Sequence, residues 1–307
     1  MTTLKQSHTS TTLCLACQAE LFEAVNDTYS FCTKCGSANY ISKHSAEEDN
    51  NYYFNNLQVS PNLRLRTLLF SLFNRLDRLI HLKEWVAYES LLKGIEEKID
   101  AASISVEVGF GSGDELIERL ARGANCYGID LSSKVVQTFK ERYPNYSNRV
   151  SCEPAGRRSL SCDLVYSNAL FEHLDHPNEF LLAAHEQLQS GGILVLRIPI
   201  KIDEGSKHNK PDINYWKPCH RAIYSMKGIE SILTRNGYRV LQQATLPYYG
   251  YKVMNQLLKN GYTSIQDIRC PYAQIPNLNL LSYLKALISG LFTRLSCVEY
   301  SAIAVKV

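Results

Sequence analysis

The sequence has no strong excess of charge and no long apolar segment. Its 307 residues carry 33 lysines and arginines against 30 aspartates and glutamates, a formal net charge of +3. This balance, without a lysine-arginine stripe, argues against a dedicated nucleic-acid-binding protein. No run approaches the roughly 20 apolar residues of a membrane-spanning helix. Residues 1–12 also lack the apolar core of a secretory signal peptide, so we expect the chain in the reducing cytoplasm.

Two C-x-x-C pairs lie near the N-terminus. Cys14 and Cys17 form the first pair, and Cys32 and Cys35 form the second. Four thiolates at this spacing can close a tetrahedral zinc site, whereas a redox function needs only one pair and a disulfide framework belongs to oxidising compartments. We therefore predict a zinc ribbon over residues 1–42. Its metal is structural, because so short a segment cannot build its own core.

The segment from Glu107 to Gly113 has the pattern E-x-G-x-G-x-G. The β-branched run at residues 104–108 predicts a buried strand, and the helical spacing of the leucines after the glycines predicts a helix. Glycines in such a strand-to-helix turn let the backbone approach a ligand closely. Asp130 ends the predicted second strand, where a carboxylate can accept hydrogen bonds from both hydroxyls of a ribose. These features predict a site for a nucleoside cofactor.

The glycine spacing distinguishes two classes of cofactor. A dinucleotide site has the pattern G-x-G-x-x-G, but the position of its third glycine is Asp114 here. An acid at that position would repel a pyrophosphate, whereas S-adenosylmethionine presents an ammonium and a sulfonium. The spacing favours S-adenosylmethionine over NAD, with a plain structural turn as the alternative.

The rest of the chain continues to alternate between strands and helices. Further strands are predicted at residues 150–153, 162–168, 191–198, 238–241 and 299–307. This alternation predicts a doubly wound, mostly parallel, seven-stranded α/β sheet with ligands at the carboxyl ends of its strands. We divide the chain into the ribbon (1–42), a linker and helical cap (43–100) and a catalytic domain (101–307) with a helical insertion at about 250–295.

The cap is predicted to contain an amphipathic helix that begins near Pro61. Its leucines are expected to share one face, with arginines on much of the remaining surface. We expect this helix and the apolar stretch at 278–295 to cover the open end of the sheet and form the acceptor pocket. Peripheral contact with an anionic membrane is the alternative that the pattern leaves open.

From about residue 50 to 307 the sequence resembles the class I S-adenosylmethionine-dependent methyltransferases, in particular those with a Glu-His-Leu segment after strand four. The matching segments are residues 106–113, 128–130, 163–174 and 188–195. The resemblance implies a Rossmann-like fold and methyl transfer. It says little about the methyl acceptor, since members of this group modify quinones, sugars, polyketides and other small metabolites.

The resemblance also implies roles for individual residues. Gly109, Gly111 and Gly113 would pass beneath the cofactor, Glu107 would orient its amino-acid end, and Asp130 would hold its ribose, with Leu131 and Asn168 completing the set. Relatives often carry an Asp after strand three that contacts the adenine. This chain has Glu153 there as the substitute.

Two histidines are candidates for the base that a hydroxyl acceptor requires. His173 follows the fourth strand, and His220 follows a polar loop after the fifth. Histidine has the near-neutral pKa that suits proton removal, although either residue could be structural instead. We predict a methyltransferase that acts at a hydroxyl oxygen of a small molecule or glycan precursor, such as a sugar nucleotide.

Two other functions are alternatives. An RNA methyltransferase could grip RNA with the ribbon, but Ser167-Asn168 lacks the N-P-P-Y-like box that binds flat amino-bearing bases. An inactive methyltransferase-fold interaction protein would not need the intact glycines and Asp130. Zinc and S-adenosylmethionine are the expected cofactors, and the oligomeric state does not follow from the sequence.

Overall fold

The computed structural model describes residues 13–20, 23–24, 29–40, 63–154, 161–202, 220–262, 278–295 and 297–307. The strands are β1 (Glu23–Ala24), β2 (Tyr29–Phe31), β3 (Ala38–Tyr40), β4 (Ser105–Val108), β5 (Cys126–Asp130), β6 (Val150–Cys152), β7 (Cys162–Asn168), β8 (Leu188–Lys201), β9 (Ala222–Ser225), β10 (Tyr238–Leu246) and β11 (Cys297–Lys306). The helices are α1 (Leu63–Ile80), α2 (Leu82–Ala101), α3 (Asp114–Ala121), α4 (Ser133–Arg142), α5 (Pro177–Gln187), α6 (Met226–Arg235), α7 (Tyr249–Lys259) and α8 (Leu280–Leu291). Short 3-10 helices cover Pro144–Arg149 and Phe171–His173.

Seven strands form the central sheet, in the order β6-β5-β4-β7-β8-β11-β10. The pairs β4–β5, β5–β6, β4–β7 and β7–β8 are parallel, whereas β11 runs antiparallel to both of its neighbours. This order confirms the predicted doubly wound, mostly parallel α/β fold.

Both faces of this sheet are covered by helices. Leu164 and Tyr166 of β7 pack under α2, whereas Val165 points to the opposite face and joins the core shared with α5 and α6. Strands buried on both faces have apolar residues at consecutive positions. That is why the central strands were recognisable in the sequence as short apolar runs.

The fifth predicted strand, placed at 191–198, is longer than expected. β8 extends over Leu188–Lys201, so the Gly191–Gly192 pair lies inside the strand, and the preceding helix already ends at Gln187. Gly191 has a φ of +73°, and the pairing of β7 with β8 shifts register nearby. The glycine pair therefore marks an irregularity in the sheet.

Beyond the end of β7, the edge of β8 pairs with β9. One edge of β8 pairs with β11 from residue 193 to residue 201. On its other edge, β8 pairs with β7 only as far as Arg197. Ile200–Lys201 therefore pair on that edge with β9, whose outer side pairs in turn with β3 through Ala38 and Ile223. The N-terminal segment thus continues the sheet at the carboxyl end of β7. The short strand β9 was not predicted.

Helices α1, α7 and α8 pack together around a separate apolar cluster. Along the chain, α7 and α8 are inserted between β10 and β11. The apolar face predicted for α1 is present in the spacing of its residues, but most of it is exposed. Phe70 is buried and Leu69 and Phe73 pack beside it, but five leucines point outward: Leu65, Leu68, Leu72, Leu76 and Leu79. Among the described residues, no helix combines the length and apolarity needed to cross a bilayer.

A buried ion pair joins α7 to α1, and its disruption should destabilise the fold. Nζ of Lys252 lies 2.7 Å from Oδ1 of Asp77, and both side chains are 2% exposed. Lys252→Met should lower the free energy of unfolding by about 3–5 kcal/mol, because the carboxylate stays buried without its cation. The double variant Lys252→Met with Asp77→Asn should recover most of this loss. Urea unfolding measures both, and equal losses would assign the effect to packing instead of charge.

Candidate active site

The glycine-rich turn between β4 and α3 is open on one side. Gly109, Gly111 and Gly113 all have positive φ, at +73°, +51° and +75°. A Cβ on Gly113 would overlap the ring of Phe139, and one on Gly109 would lie 2.9 Å from the side chain of Leu170. No heavy atom lies within 4 Å of a Cβ built on Gly111. The turn therefore packs tightly at its two ends and offers its middle to a ligand.

Asp130 is tied to this turn through its carboxylate. Oδ2 accepts a hydrogen bond from the Gly111 amide at 3.2 Å, and Oδ1 accepts one from the Ser132 amide at 2.8 Å. Burial raises the pKa of Asp130 from its ordinary value, and the two amides oppose that shift. A carboxylate has about four acceptor positions, so two remain for the hydroxyls of a ribose. Leu131, directly after it, is 71% exposed.

The other predicted cofactor residues lie at the same edge of the sheet. Asn168 ends β7 and donates to Oε1 of Glu115 at 3.1 Å. Glu153 follows β6, and its Oε1 accepts a hydrogen bond from Ser151 at 2.5 Å. Because β4 to β7 are parallel neighbours, their carboxyl ends bring these residues to one edge, where ligands of open α/β sheets bind.

Arg119 of α3 forms a buried ionic network behind the turn. Its guanidinium contacts Glu107 at 2.7 Å, Glu96 at 2.6 Å and Glu115 at 3.2 Å, and the residue is 1% exposed. Arg197 contacts Glu115 from β8 at 3.0 Å. The network thus fixes α3 to three other elements. No motif and no helical periodicity marks Arg119 in the sequence.

Glu107 faces this network. It is 4% exposed, and its carboxylate accepts from Arg119. Burial raises the pKa of Glu107 to about 7, although Arg119 opposes the shift. The contact of Glu107 with the amino-acid end of a cofactor stays a prediction.

A cavity of about 350 Å³ lies beside the network, between α2 and α3. Its lining includes Glu115, Arg119, Tyr166 and Arg197, but none of the three turn glycines and neither predicted histidine. The cavity is therefore a feature of the charged network and is separate from the glycine-rich turn and the two histidines.

The two predicted histidines lie together at the carboxyl end of β7. Leu170, which packs on Gly109, leads directly into the 3-10 helix that ends at His173. The imidazole rings of His173 and His220 have centroids 4.7 Å apart at an interplanar angle of 69°. Nε2 of His173 lies 3.7 Å from Oε1 of Glu172, whose side chain is 2% exposed. Glu172, part of the Glu-His-Leu segment, is thus a third member of this cluster.

The four N-terminal cysteines converge in one place. The Sγ atoms of Cys14 and Cys35 are 3.6 Å apart, those of Cys17 and Cys32 are 3.4 Å apart, and all four lie within 4.8 Å of one another. Disulfide sulfurs would be about 2.05 Å apart. Tetrahedral coordination with bonds of about 2.3 Å separates sulfurs by about 3.8 Å. The donor set and spacing therefore suit one zinc ion held by four thiolates.

Comparison with known proteins gives a family and more distant likenesses. Residues 81–243, more than half of the chain, match a family described as a methyltransferase domain. Two trans-aconitate 2-methyltransferases are similar to this chain. The one from Rhodopseudomonas palustris (strain BisB18) is 24% identical over 43% of this chain and 52% of its own length. The one from Afipia carboxidovorans is 31% identical over 36% of this chain and 43% of its own length. The chain spans about half the length of the curated relatives it matches.

Solved structures of low identity share parts of the fold. A putative sarcosine dimethylglycine methyltransferase from Galdieria sulphuraria is 16% identical, with a TM-score of 0.48 over 74% of this chain and 85% of that one. A geranyl diphosphate C-methyltransferase from Streptomyces coelicolor is 14% identical, with a TM-score of 0.45 over 66% and 71%. Neither likeness bears on the acceptor.

The raised pKa of Glu107 predicts a pH dependence of stability. The folded protein holds this proton up to about pH 7, whereas an unfolded chain releases it near pH 4.3. The stabilisation is therefore complete below about pH 4.3 and is lost as pH rises toward 7, at up to about 1.4 kcal/mol per pH unit. Glu107→Gln should flatten this decline.

Urea unfolding of both proteins at pH 5, 6 and 7 measures the difference. Glu141→Gln, at an exposed position of α4, is the matched control and should follow the unmodified protein. Parallel declines for Glu107→Gln and the unmodified protein would show that Glu107 does not titrate in this range.

Proposed function

This chain belongs to the methyltransferase domain family, and we propose that it methylates a hydroxyl oxygen of a small molecule or glycan precursor, with His173 as the proton acceptor. It is a class I S-adenosylmethionine-dependent methyltransferase. The observation that carries the proposal is the cluster of His173, His220 and Glu172 beside the glycine-rich turn.

The cofactor would lie across the carboxyl ends of β4 to β7. The open backbone at Gly111 gives it room, Asp130 would bind its ribose hydroxyls, and Glu153 would contact its adenine. Gly109, Gly113, Leu131 and Asn168 complete the proposed set. When bound, S-adenosylmethionine supplies a methyl group on a positively charged sulfur, so the protein must mainly align the acceptor and exclude water.

His173 is suited to take the proton of the acceptor. Its side chain is 17% exposed, whereas His220 is 2% exposed, so an entering acceptor reaches His173 first. The nearby carboxylate of Glu172 would stabilise the imidazolium that forms. His220 packs edge-on against the His173 ring and would fix its plane. The proton thus moves from the acceptor hydroxyl to the His173 imidazole.

A hydroxyl acceptor explains this cluster better than a carboxylate does. The curated relatives are named for trans-aconitate, a carboxylic acid. A carboxylate is already ionised near neutral pH and needs no base. A paired imidazole and carboxylate at the site would then have no task in proton transfer.

Replacing Asp130 by Ala should weaken cofactor binding at least tenfold. A carboxylate that accepts two hydrogen bonds from a ribose is worth about 1.5–3 kcal/mol. Calorimetric titration with S-adenosylhomocysteine measures the change. Asp163→Ala is the matched control, because Asp163 holds the Ile104 amide near the amino end of β7, away from the site. An unchanged dissociation constant for Asp130→Ala would remove Asp130 from the cofactor site.

Replacing His173 by Gln should lower kcat by about a hundredfold or more, which is the typical contribution of a general base. Affinity for S-adenosylhomocysteine should not change. Formation of S-adenosylhomocysteine is measured with a panel of hydroxylated sugar nucleotides and with trans-aconitate as acceptors. His176→Gln, at an exposed position that makes no side-chain cap, is the control. Near-normal turnover of His173→Gln, or turnover of trans-aconitate alone, would contradict the proposed base.

A further inference from the structure

The cysteine-rich segment contacts the stretch that carries His220. The hydroxyl of Tyr29 in β2 donates to the backbone carbonyl of His220 at 2.9 Å, between residues 191 positions apart in the sequence. Tyr29 is 0% exposed and its ring packs edge-on against Tyr40 at 5.2 Å. The hydroxyl is therefore held in a defined place.

The residues after His220 are held by the same segment. The Tyr40 amide donates to the Arg221 carbonyl at 2.9 Å, and β3 pairs with β9 directly after it. The Arg221 amide donates to the carbonyl of Glu172 at 2.7 Å. This backbone is thus fixed between the ribbon on one side and the Glu172–His173 segment on the other.

The metal-binding knuckle joins the opposite end of β9. The Ser225 hydroxyl donates to the carbonyl of Cys35, and the Ser225 amide donates to the hydroxyl of Ser37 at 3.1 Å. Ser225 also caps α6. A Cβ on Gly228, in the first turn of α6, would overlap Ser37. The ribbon therefore docks on β9 and α6 without space for another side chain.

We propose that Tyr29 is a positioning residue for the histidine pair, and that the ribbon is the part of the protein that sets the acceptor side of the site. This proposal rests on the proposed function of His173. Tyr29 acts through the His220 carbonyl, and the His220 ring in turn packs against His173. Since Cys32 follows β2 directly and Cys35 contacts Ser225, metal bound at the cysteines would keep both ends of this support in place.

A purely structural hydrogen bond would have a different effect. Removing one buried hydroxyl that donates to a backbone carbonyl costs about 1 kcal/mol of stability. Tyr238 provides the matched comparison, because it is 2% exposed and its hydroxyl also donates to a backbone carbonyl, that of Leu181, at 3.1 Å. Tyr238→Phe should share the loss of stability of Tyr29→Phe but not its effect on the histidine pair.

The test compares Tyr29→Phe and Tyr238→Phe in the full, metal-loaded chain. Tyr29→Phe should lower kcat about tenfold or more, because small displacements of catalytic groups cost rate. It should also shift the acid limb of the pH–rate profile, increase hydrogen exchange at residues 221–223, and leave the dissociation constant of S-adenosylhomocysteine unchanged. Tyr238→Phe should match the unmodified protein in all four measurements.

Two outcomes separate this inference from the proposed function. If Tyr29→Phe keeps the turnover, pH profile and exchange of the unmodified protein while His173→Gln loses turnover, the positioning role is overturned and the base remains. If His173→Gln keeps normal turnover, the base assignment fails. Hydrogen exchange at 221–223 then decides alone whether Tyr29 holds this segment.

Metal removal and Gly228→Ala test the ribbon without altering Tyr29. Extraction of the metal with a chelator should raise hydrogen exchange across 221–225 and leave S-adenosylhomocysteine binding intact, and added zinc should reverse the change. Gly228→Ala should produce the same exchange pattern by displacing Ser37. Unchanged exchange in both experiments would overturn the role of the ribbon.

Discussion

Strand β8 has 14 residues and its neighbour β7 has seven, so β8 extends beyond the carboxyl end of β7. The backbone groups of this overhang must find partners, because buried N–H and C=O groups left unpaired cost free energy. β9 pairs with the overhang, and β3 pairs with β9. The chain thereby returns residues near 220 to the carboxyl end of β7, where the Arg221 amide meets the Glu172 carbonyl. The proximity of His173 and His220 depends on this extension of the sheet.

The proposed cofactor side and the proposed acceptor side are stabilised by different means. On the cofactor side, Arg119 binds three carboxylates from three elements, so the helix that follows the glycines cannot shift without separating buried charges. On the acceptor side, backbone hydrogen bonds and one tyrosine hydroxyl hold the histidines. Such bonds are weaker individually, so we expect the acceptor side to respond first when the cysteine site changes.

Sequence patterns were informative where the physical cause is local. Glycine spacing predicted a turn that requires positive φ, and the structure has positive φ at Gly109, Gly111 and Gly113. Apolar runs predicted the central strands, because strands buried on both faces need them. Patterns were misleading for α1, whose apolar face was expected to pack over the sheet but is mostly exposed. They were silent on Arg119, whose carboxylate partners lie partly on other elements, and on β9, which has only four residues.

The sequence by itself determined the alternating α/β architecture, the open glycine turn with Asp130 beside it, and a set of four thiols at metal-binding spacing. Each of these follows from a pattern of residue types within one element or between neighbouring elements of the chain. Only the tertiary structure decided that Glu107 faces Arg119, that the two histidines meet, and that Tyr29 holds the His220 carbonyl. The last two contacts join residues distant in the chain, and they form because the overhanging edge of β8 is left for β9 to pair.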